Sequence, residues 1–167
     1  AALDARQLGL TRTHGDTGWA WITPCHWQIN ADHVAMDHPE SLALDVHEID
    51  ALRAAMQPYF AEDGITLHAL NHSTWLAQGE LLRDLPTASL ARACGPRVDQ
   101  WMPRAPQARS LRRLQNEMQM LLYTHPVNEG RGLTLNSFWV HGTGALPVHT
   151  ALAATSAPQV VNTLRSS

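Results

Sequence analysis

Long apolar runs, paired cysteines and a surplus of one sign of charge are all missing from this sequence. No apolar run in the 167 residues approaches the roughly 20 that a membrane-spanning helix needs. Two cysteines, Cys25 and Cys94, do not make a disulfide framework, so a reducing cytoplasm is the expected compartment. The net charge of −3 gives no reason to expect nucleic acid or an anionic membrane as a partner.

What is present is enough for one folded domain. Hydrophobic residues make up 44% of the chain, which can supply a core, and charged residues make up 16%, below the usual quarter. We expect a single domain over residues 1–147, with a loop-like lead-in at 1–18. Small and hydroxylated residues predict a loosely packed tail at 148–167. The chain starts Ala-Ala-Leu without an initiator Met, which indicates a fragment of a longer protein.

Alternating residues predict the strands. From Trp19 to Ile29 one side of the alternation is rich in aromatic and apolar residues, which is typical of a strand. Pro24 predicts an edge position or a break within that strand, because proline cannot donate to a ladder. The predicted strands cover residues 19–29, 34–36, 65–70, 74–77 and 133–140.

Helical spacing of apolar residues predicts the other elements. Asp45-Val46-His47-Glu48 has the form of a capping box, and Gly64 is a natural end for the helix that follows. An apolar stripe predicts a second long helix over 108–124, and a shorter helix is predicted over 87–94. Strands that alternate with helices predict an α/β or α+β domain, in which helices cover a mixed β-sheet.

Metal, nucleophilic and base-stacking chemistry each lack a specific motif. Cys25 and His26 are adjacent, so a strand would point them to opposite faces and they could not share a metal ion; we expect no metal site. No G-x-S-x-G elbow is present, and neither cysteine lies in a sequence context that lowers a thiol pKa. Trp19, Trp21 and Trp27 share one face of the first strand, which favours core packing over stacking on nucleic-acid bases.

The segment HPVNEGRGLTLNSFWVHGTG, residues 125–144, is the least ordinary stretch of the chain. Its asparagines can bond the backbone of an irregular loop, and Arg131 lies between two glycines on a bendable turn. Gly142-Thr143-Gly144 lets backbone N–H groups approach a ligand. Asn128, Arg131 and His141 are therefore candidates to converge on an anion. The alternative is a helix–loop–strand corner whose polar groups satisfy only its own backbone.

The same segment resembles part of the archaeal-type cofactor-independent phosphoglycerate mutases. In those enzymes a His-Pro-x-Asn, an Arg, an Asn, an apolar strand and an Arg-Gly-x-Gly follow one another. Together with this segment, TPCHWQI, LPTASLARACGPRVDQWMP and LRRLQNEMQMLLYTHPVN resemble a proteobacterial group of the regulation-of-pathogenicity-factors E type, over about residues 19–147. The resemblance implies a ligand site at the positions that match or replace the motif: His125, Asn128, Arg131, Asn136, His141, Gly142 and Gly144.

Two departures from the mutase pattern bear on activity. His141 stands where the mutases have an arginine, and a histidine is charged only part of the time near neutral pH. The two-metal centre of the mutases, built from Asp, His and a Ser or Thr nucleophile, has no counterpart cluster in this sequence. The resemblance therefore implies a phosphoglycerate-mutase-like regulatory domain that binds a small phosphorylated metabolite without catalysis and without a cofactor.

Two other functions stay open at this point. One is an active mutase or phosphatase that uses a divalent metal such as Mn²⁺ and takes part of its centre from sequence outside this chain. The other is a protein-interaction module, in which the aromatic and proline-containing stretch from Val98 to Pro106 is the docking surface.

Overall fold

A four-stranded antiparallel sheet is the framework of the fold in a computed structural model that describes residues 1–9 and 17–145. In spatial order the strands are β4 (Thr66–Ala69), β5 (Trp75–Gln78), β1 (Trp19–Cys25) and β6 (Ser137–Gly144). The central strand β1 pairs on both sides. Its Ile22 lies opposite Trp75 of β5 and also opposite Val140 of β6.

A separate two-stranded hairpin lies beside this sheet. It consists of β2 (Trp27–Ile29) and β3 (Val34–Met36), and Met36 forms an isolated bridge with Gly95. The hairpin follows β1 after a break at His26. That break separates the predicted strand 19–29 into two pieces.

Two long and two short α-helices lie in the described residues. They are α1 (Ala2–Gln7), α2 (Val46–Glu62), α3 (Leu90–Ala93) and α4 (Ala108–Tyr123). Short 3-10 helices lie at Pro39–Leu42, Glu80–Leu82, Val98–Trp101 and Pro126–Asn128. None of the described helices is long and apolar enough to cross a membrane.

The main core lies between one face of the sheet and the two long helices. α2 and α4 turn their apolar stripes to the strand residues that alternate onto this face. The rings of Phe60 on α2 and Phe138 on β6 illustrate the contact, with centroids 5.2 Å apart. The Nε1 of Trp75, which is fully buried, donates to the carbonyl of Ile49 and so ties the sheet to α2.

The opposite face of the sheet is covered only in part. At one end α1 brings Ala5 against Trp19 and Leu76. At the other end Cys25 and Trp139 pack with residues of β3, α3 and the segment that follows it. Between these two small clusters the face carries polar side chains, among them those of Thr23 and His141.

The expected fold class is confirmed, because helices cover a sheet in a single domain. The sheet is antiparallel throughout its described strands rather than mixed. Cys25 at the end of β1 lies opposite Ser137 at the start of β6. The chain thus returns to the sheet at the end where it left it, and the two strands run in opposite directions.

One local prediction is wrong, and one lies outside the described residues. The lead-in at 1–18 carries the six-residue helix α1, and residues 10–16 of it are not among the described residues. The last strand begins at Ser137 rather than Leu133, and it continues through Gly144 instead of ending before the Gly-x-Gly. The predicted tail at 148–167 falls outside the residues that the structure describes.

The predicted capping box at the start of α2 is confirmed. The Asp45 carboxylate accepts from the backbone N–H of Glu48 at 2.8 Å, and the Glu48 carboxylate accepts from the N–H of Asp45 at 3.3 Å. Both groups are acceptors for backbone donors that have no partner within the helix.

Replacing Asp45 with alanine should destabilise the domain by about 1 kcal/mol, because one N-terminal donor of α2 loses its acceptor. Urea unfolding measured by far-UV circular dichroism would give this value. Asp84→Ala is the matched control, since Asp84 is exposed and its carboxylate makes no hydrogen bond in the described residues. Equal free energies of unfolding for the two variants would contradict the capping role.

Candidate functional site

The predicted corner after α4 is held together by two asparagine side chains. The Asn128 amide donates to the carbonyls of Leu122 and Leu135 at 2.9 and 2.8 Å and accepts from the N–H of Leu135 at 2.8 Å. The Asn136 amide pairs with the backbone of Trp27, accepting at 2.7 Å and donating at 2.8 Å. These side-chain contacts hold the backbone just before β6, where the N–H of Asn136 also donates to the carbonyl of Cys25 at 3.2 Å.

Arg131 lies in the same corner, and its donors are already bonded to the protein. Its Nε donates to the carbonyl of Val127 at 2.7 Å and its Nη1 to the carbonyl of Leu42 at 2.6 Å, while Nη2 bonds the Glu48 carboxylate. The guanidinium therefore fastens the corner to the start of α2. An incoming anion would have to compete with these acceptors for it.

A broad, open cleft of about 470 Å³ borders this corner. His125 lines it, but the His125 Nδ1 accepts from the N–H of Val127 at 3.1 Å and caps the following 3-10 helix. The cleft is also lined by three carboxylates, those of Asp45, Glu48 and Glu129. Its electrostatic character is therefore unfavourable for an anion.

His141 and the Gly-x-Gly lie at the other end of β6. Asn136 and His141 are five residues apart on an extended chain, which corresponds to about 17 Å. The structure thus brings His125, Asn128, Arg131 and Asn136 into one corner. It leaves His141, Gly142 and Gly144 in a different place, so the seven predicted residues do not converge on one ligand.

The His141 ring is an uncharged part of a partly buried hydrogen-bond chain. Its Nε2 bonds the Thr23 hydroxyl at 2.9 Å, and that hydroxyl bonds the Thr74 hydroxyl at 3.0 Å. Burial lowers the pKa of His141 to about 4. At neutral pH the ring is therefore neutral, opposite to the charged form that replacement of a phosphate-binding arginine would require.

The missing side chain of Gly142 gives room to the ring of Trp21 rather than to a phosphate group. The backbone of Gly142 has φ +60°, and a Cβ at this position would collide with the six-membered ring of Trp21. The indole of Trp21 packs against this glycine and contacts the His141 ring, with centroids 5.4 Å apart. The absence of a side chain at position 142 is what allows this packing.

A second cavity, of about 180 Å³, lies where the start of β6 meets α4. We call it the Ser137 cavity. None of its lining residues has a carboxylate, and most of its polar groups are hydrogen-bond donors. The lining residues are Trp27, Ile29, Met102, Arg112, Gln115, Asn116, Gln119, Asn136 and Ser137.

Ser137 lines this cavity, and its hydroxyl is buried. The residue is 2% exposed, and its Oγ has no hydrogen-bond partner among the residues that the structure describes. The indole nitrogen of Trp27 is also buried, but the weakly accepting Cys25 thiol lies near it, so Ser137 is the clearer case. A buried hydroxyl without a hydrogen-bond partner lowers the stability of a fold.

Arg112 supplies the positive charge of the Ser137 cavity. Its Nη1 donates to the carbonyl of Pro103 at 3.2 Å, which holds the guanidinium against the loop beside the cavity. Its Nε and Nη2 have no partner among the described residues. Gln115, which is 8% exposed, donates to the carbonyl of Phe138 at 3.0 Å and so covers the free edge of β6.

Catalytic groups of the kinds considered from sequence do not come together in the described residues. Burial raises the pKa of the Cys94 thiol and raises that of Cys25 well above its ordinary value, so both are poor nucleophiles. Within residues 1–9 and 17–145, no three His, Cys, Asp or Glu side chains are grouped so that they could hold a metal ion. In the proposed docking stretch, Val98 is buried and Trp101 is 41% exposed.

Sequence reasoning missed the Ser137 cavity, although its residues carried two signals. Ser137 directly precedes the apolar run Phe138-Trp139-Val140. A hydroxyl at the start of such a buried strand is itself expected to be buried, and it then needs a hydrogen-bond partner. Arg112 and Asn116 are four residues apart, which places them on one side of α4 beside the apolar stripe. Neither observation predicts that α4 and the start of β6 meet in space, because only tertiary packing brings these two segments together.

Comparison with known proteins finds no relative: no family model, no curated protein and no solved structure matches this chain.

Replacing Gly142 with alanine should cost more stability than replacing Gly130. Both glycines have left-handed backbones, with φ +60° and +69°, so each alanine introduces similar strain. Only at position 142 does the new methyl group meet the Trp21 ring, which should add about 1–3 kcal/mol. Urea unfolding of the two variants measures the difference, and equal losses would show that Trp21 does not need the glycine.

The neutral state of His141 should make stability depend on pH. Between pH 6.5 and about 4 the unfolded chain binds a proton at this residue while the folded chain does not. Stability is therefore lost as pH falls through this window, by up to about 1.4 kcal/mol per pH unit. His141→Gln should remove this component of the urea-unfolding profile, whereas His47→Gln, at an exposed position, should not. A constant difference between wild type and His141→Gln from pH 7 to 4 would refute it.

Proposed function

We propose that this chain is a non-catalytic binding domain for a small anionic metabolite, and that the anion is held in the Ser137 cavity. The observation that carries the proposal is a cavity whose lining residues have no carboxylate and include Arg112 and Ser137, whose buried hydroxyl has no partner in the described part of the chain. The sequence predicted an anion site in the corner after α4 that contains Arg131. We now place the proposed site in the Ser137 cavity instead.

The charge and donor pattern of the cavity supports an anion over a neutral ligand. Arg112 offers Nε and Nη2 donors, and hydrogen bonds from a guanidinium to an oxyanion are about twice as strong as neutral ones. Asn116 and Gln119 add side-chain amides that have no hydrogen bond in the described residues. The Ser137 hydroxyl can donate to the same ligand. Trp27 and Met102 supply apolar wall, which is the usual composition of a small-molecule site.

The lining residues support binding without chemistry. No His, Cys, Asp, Glu or Lys lines the Ser137 cavity, so it has no side chain that could act as general base or acid near neutral pH. Ser137 is the only hydroxyl among the lining residues, and no base is bonded to it. A regulatory or carrier role follows more naturally from such a site than turnover.

A phosphorylated three-carbon acid is the ligand class that we favour. The resemblance of residues 125–144 to phosphoglycerate mutases supports this choice, and Arg112 provides a planar donor suited to a phosphate or a carboxylate. The cavity lies next to the segment that carries the resemblance, since Asn136 and Ser137 belong to both.

Calorimetric titration with 3-phosphoglycerate, inorganic phosphate and sulfate at matched ionic strength tests the proposal. Arg112→Ala should weaken binding roughly ten- to a hundredfold, because it removes charge-assisted hydrogen bonds to the anion. Arg109→Ala is the control for net charge, since it removes an exposed arginine from the same helix outside the cavity. Absence of heat with all three compounds, or equal affinity in the two variants, would overturn the proposal.

Ser137→Ala and Arg131→Ala distinguish the cavity from the corner. Ser137→Ala should weaken binding without lowering the free energy of unfolding, because it removes a hydroxyl that has no partner in the free protein. Arg131→Ala should reduce stability and leave the affinity of the remaining folded protein unchanged. Loss of binding with Arg131→Ala alone would return the anion site to the corner.

A further inference from the structure

A third cavity, of about 310 Å³, lies on the partly covered face of the sheet, far from the Ser137 cavity. We call it the His141 cavity. Its walls come from α1, β1, β6 and the turn between β4 and β5, so it draws residues from four parts of the chain. Its lining residues are Asp4, Trp21, Leu70, Asn71, Thr74 and His141.

We propose that the His141 cavity binds a small organic ammonium ion, with Asp4 as its counter-ion and Trp21 as an aromatic wall. This site goes beyond the anion site proposed above and has the opposite charge preference. It needs no residue of the Ser137 cavity.

The charges of the cavity favour a cation. Asp4 is the only lining residue that is charged at neutral pH, and no Lys or Arg lines the cavity. Burial, and to a smaller extent the positive charge of the Ala1 α-amino group, lowers the pKa of His141 to about 4, so the ring contributes no positive charge. That amino group also interacts with Asp4, and burial lowers its own pKa. A single carboxylate beside an aromatic ring is a suitable environment for an ammonium group, which the ring attracts through its quadrupole.

The hydrogen-bond groups fit the same ligand. One oxygen of Asp4, Oδ2, accepts from the Trp21 Nε1 at 2.6 Å, and its Oδ1 has no hydrogen-bond partner among the described residues. The His141 Nε2 is engaged by Thr23, whereas its Nδ1 has no partner among the described residues. When Nε2 carries the proton and donates to Thr23, Nδ1 is an acceptor, and an ammonium N–H could donate to it.

The aromatic wall is held in place before any ligand arrives. The Trp21 ring is held by its hydrogen bond to Asp4, by its close contact with Gly142 and by the neighbouring His141 ring. The Thr23–Thr74 hydrogen bond links β1 to the turn between β4 and β5. A site whose groups are already ordered loses less entropy on binding.

Titration with butylammonium chloride, followed by NMR of the tryptophan indole N–H groups, tests the proposal. The signal of the Trp21 Nε1–H, assigned with Trp21→Phe, should shift saturably. Equal concentrations of sodium chloride and of butan-1-ol, which resembles the ligand but is uncharged, should bind at least about tenfold more weakly. Absence of a saturable shift, or equal binding of butan-1-ol, would overturn the proposal.

Asp4→Asn is the decisive variant, because its amide oxygen can still accept from Trp21 while the negative charge is lost. It should weaken butylammonium binding about tenfold or more, whereas Asp32→Asn, which removes an exposed carboxylate elsewhere, should leave it unchanged. Equal affinities of the two variants would refute the role of Asp4. Arg112→Ala should not affect butylammonium binding, so failure of the anion site and failure of this site are separately visible.

Discussion

The architecture depends on the hydrogen bonding of β1 to strands on both of its sides. β5 and β6 lie on opposite sides of β1 and are joined in the sheet only through it. Both long helices pack on the face that these three strands form together. The pair formed by β1 and β6 also sets the positions of the two proposed sites. One lies where Ser137 meets Cys25, and the other lies where His141 meets Trp21.

Structural features that depend only on residues close together in the sequence were predictable from it. The capping box of α2 needs only residues three apart, and the stripe of α4 needs only a repeat of three and four, so both were found. The hairpin of β4 and β5 was found for the same reason. The start of β6 was not, because Asn136 pairs with Trp27, which is 109 residues away. No window of sequence contains both partners.

Contacts between residues far apart in the sequence also limited the prediction of function, as Arg131 shows. Between two glycines it looks like a flexible anion ligand, but its donors reach Leu42 and Glu48, 89 and 83 residues earlier in the chain. The Gly-x-Gly is ambiguous for a related reason. A position without Cβ is needed wherever a backbone must approach another group closely, and the group can be a phosphate or, as at Gly142, an indole ring. Sequence identifies the close approach and not the group that makes it.

The pairing of β1 with β6 has a consequence for the order in which the domain is assembled. Thr23 and His141 bond across 118 positions of sequence, whereas β4 and β5 meet across a short turn. Closing a loop that long costs chain entropy before any contact returns it, so contacts of this kind are slow to form. During synthesis, the β4–β5 hairpin and α2 are complete long before residue 137 is added. At that stage β1 has only one of its two neighbouring strands, and its other edge stays unpaired until β6 has been synthesised.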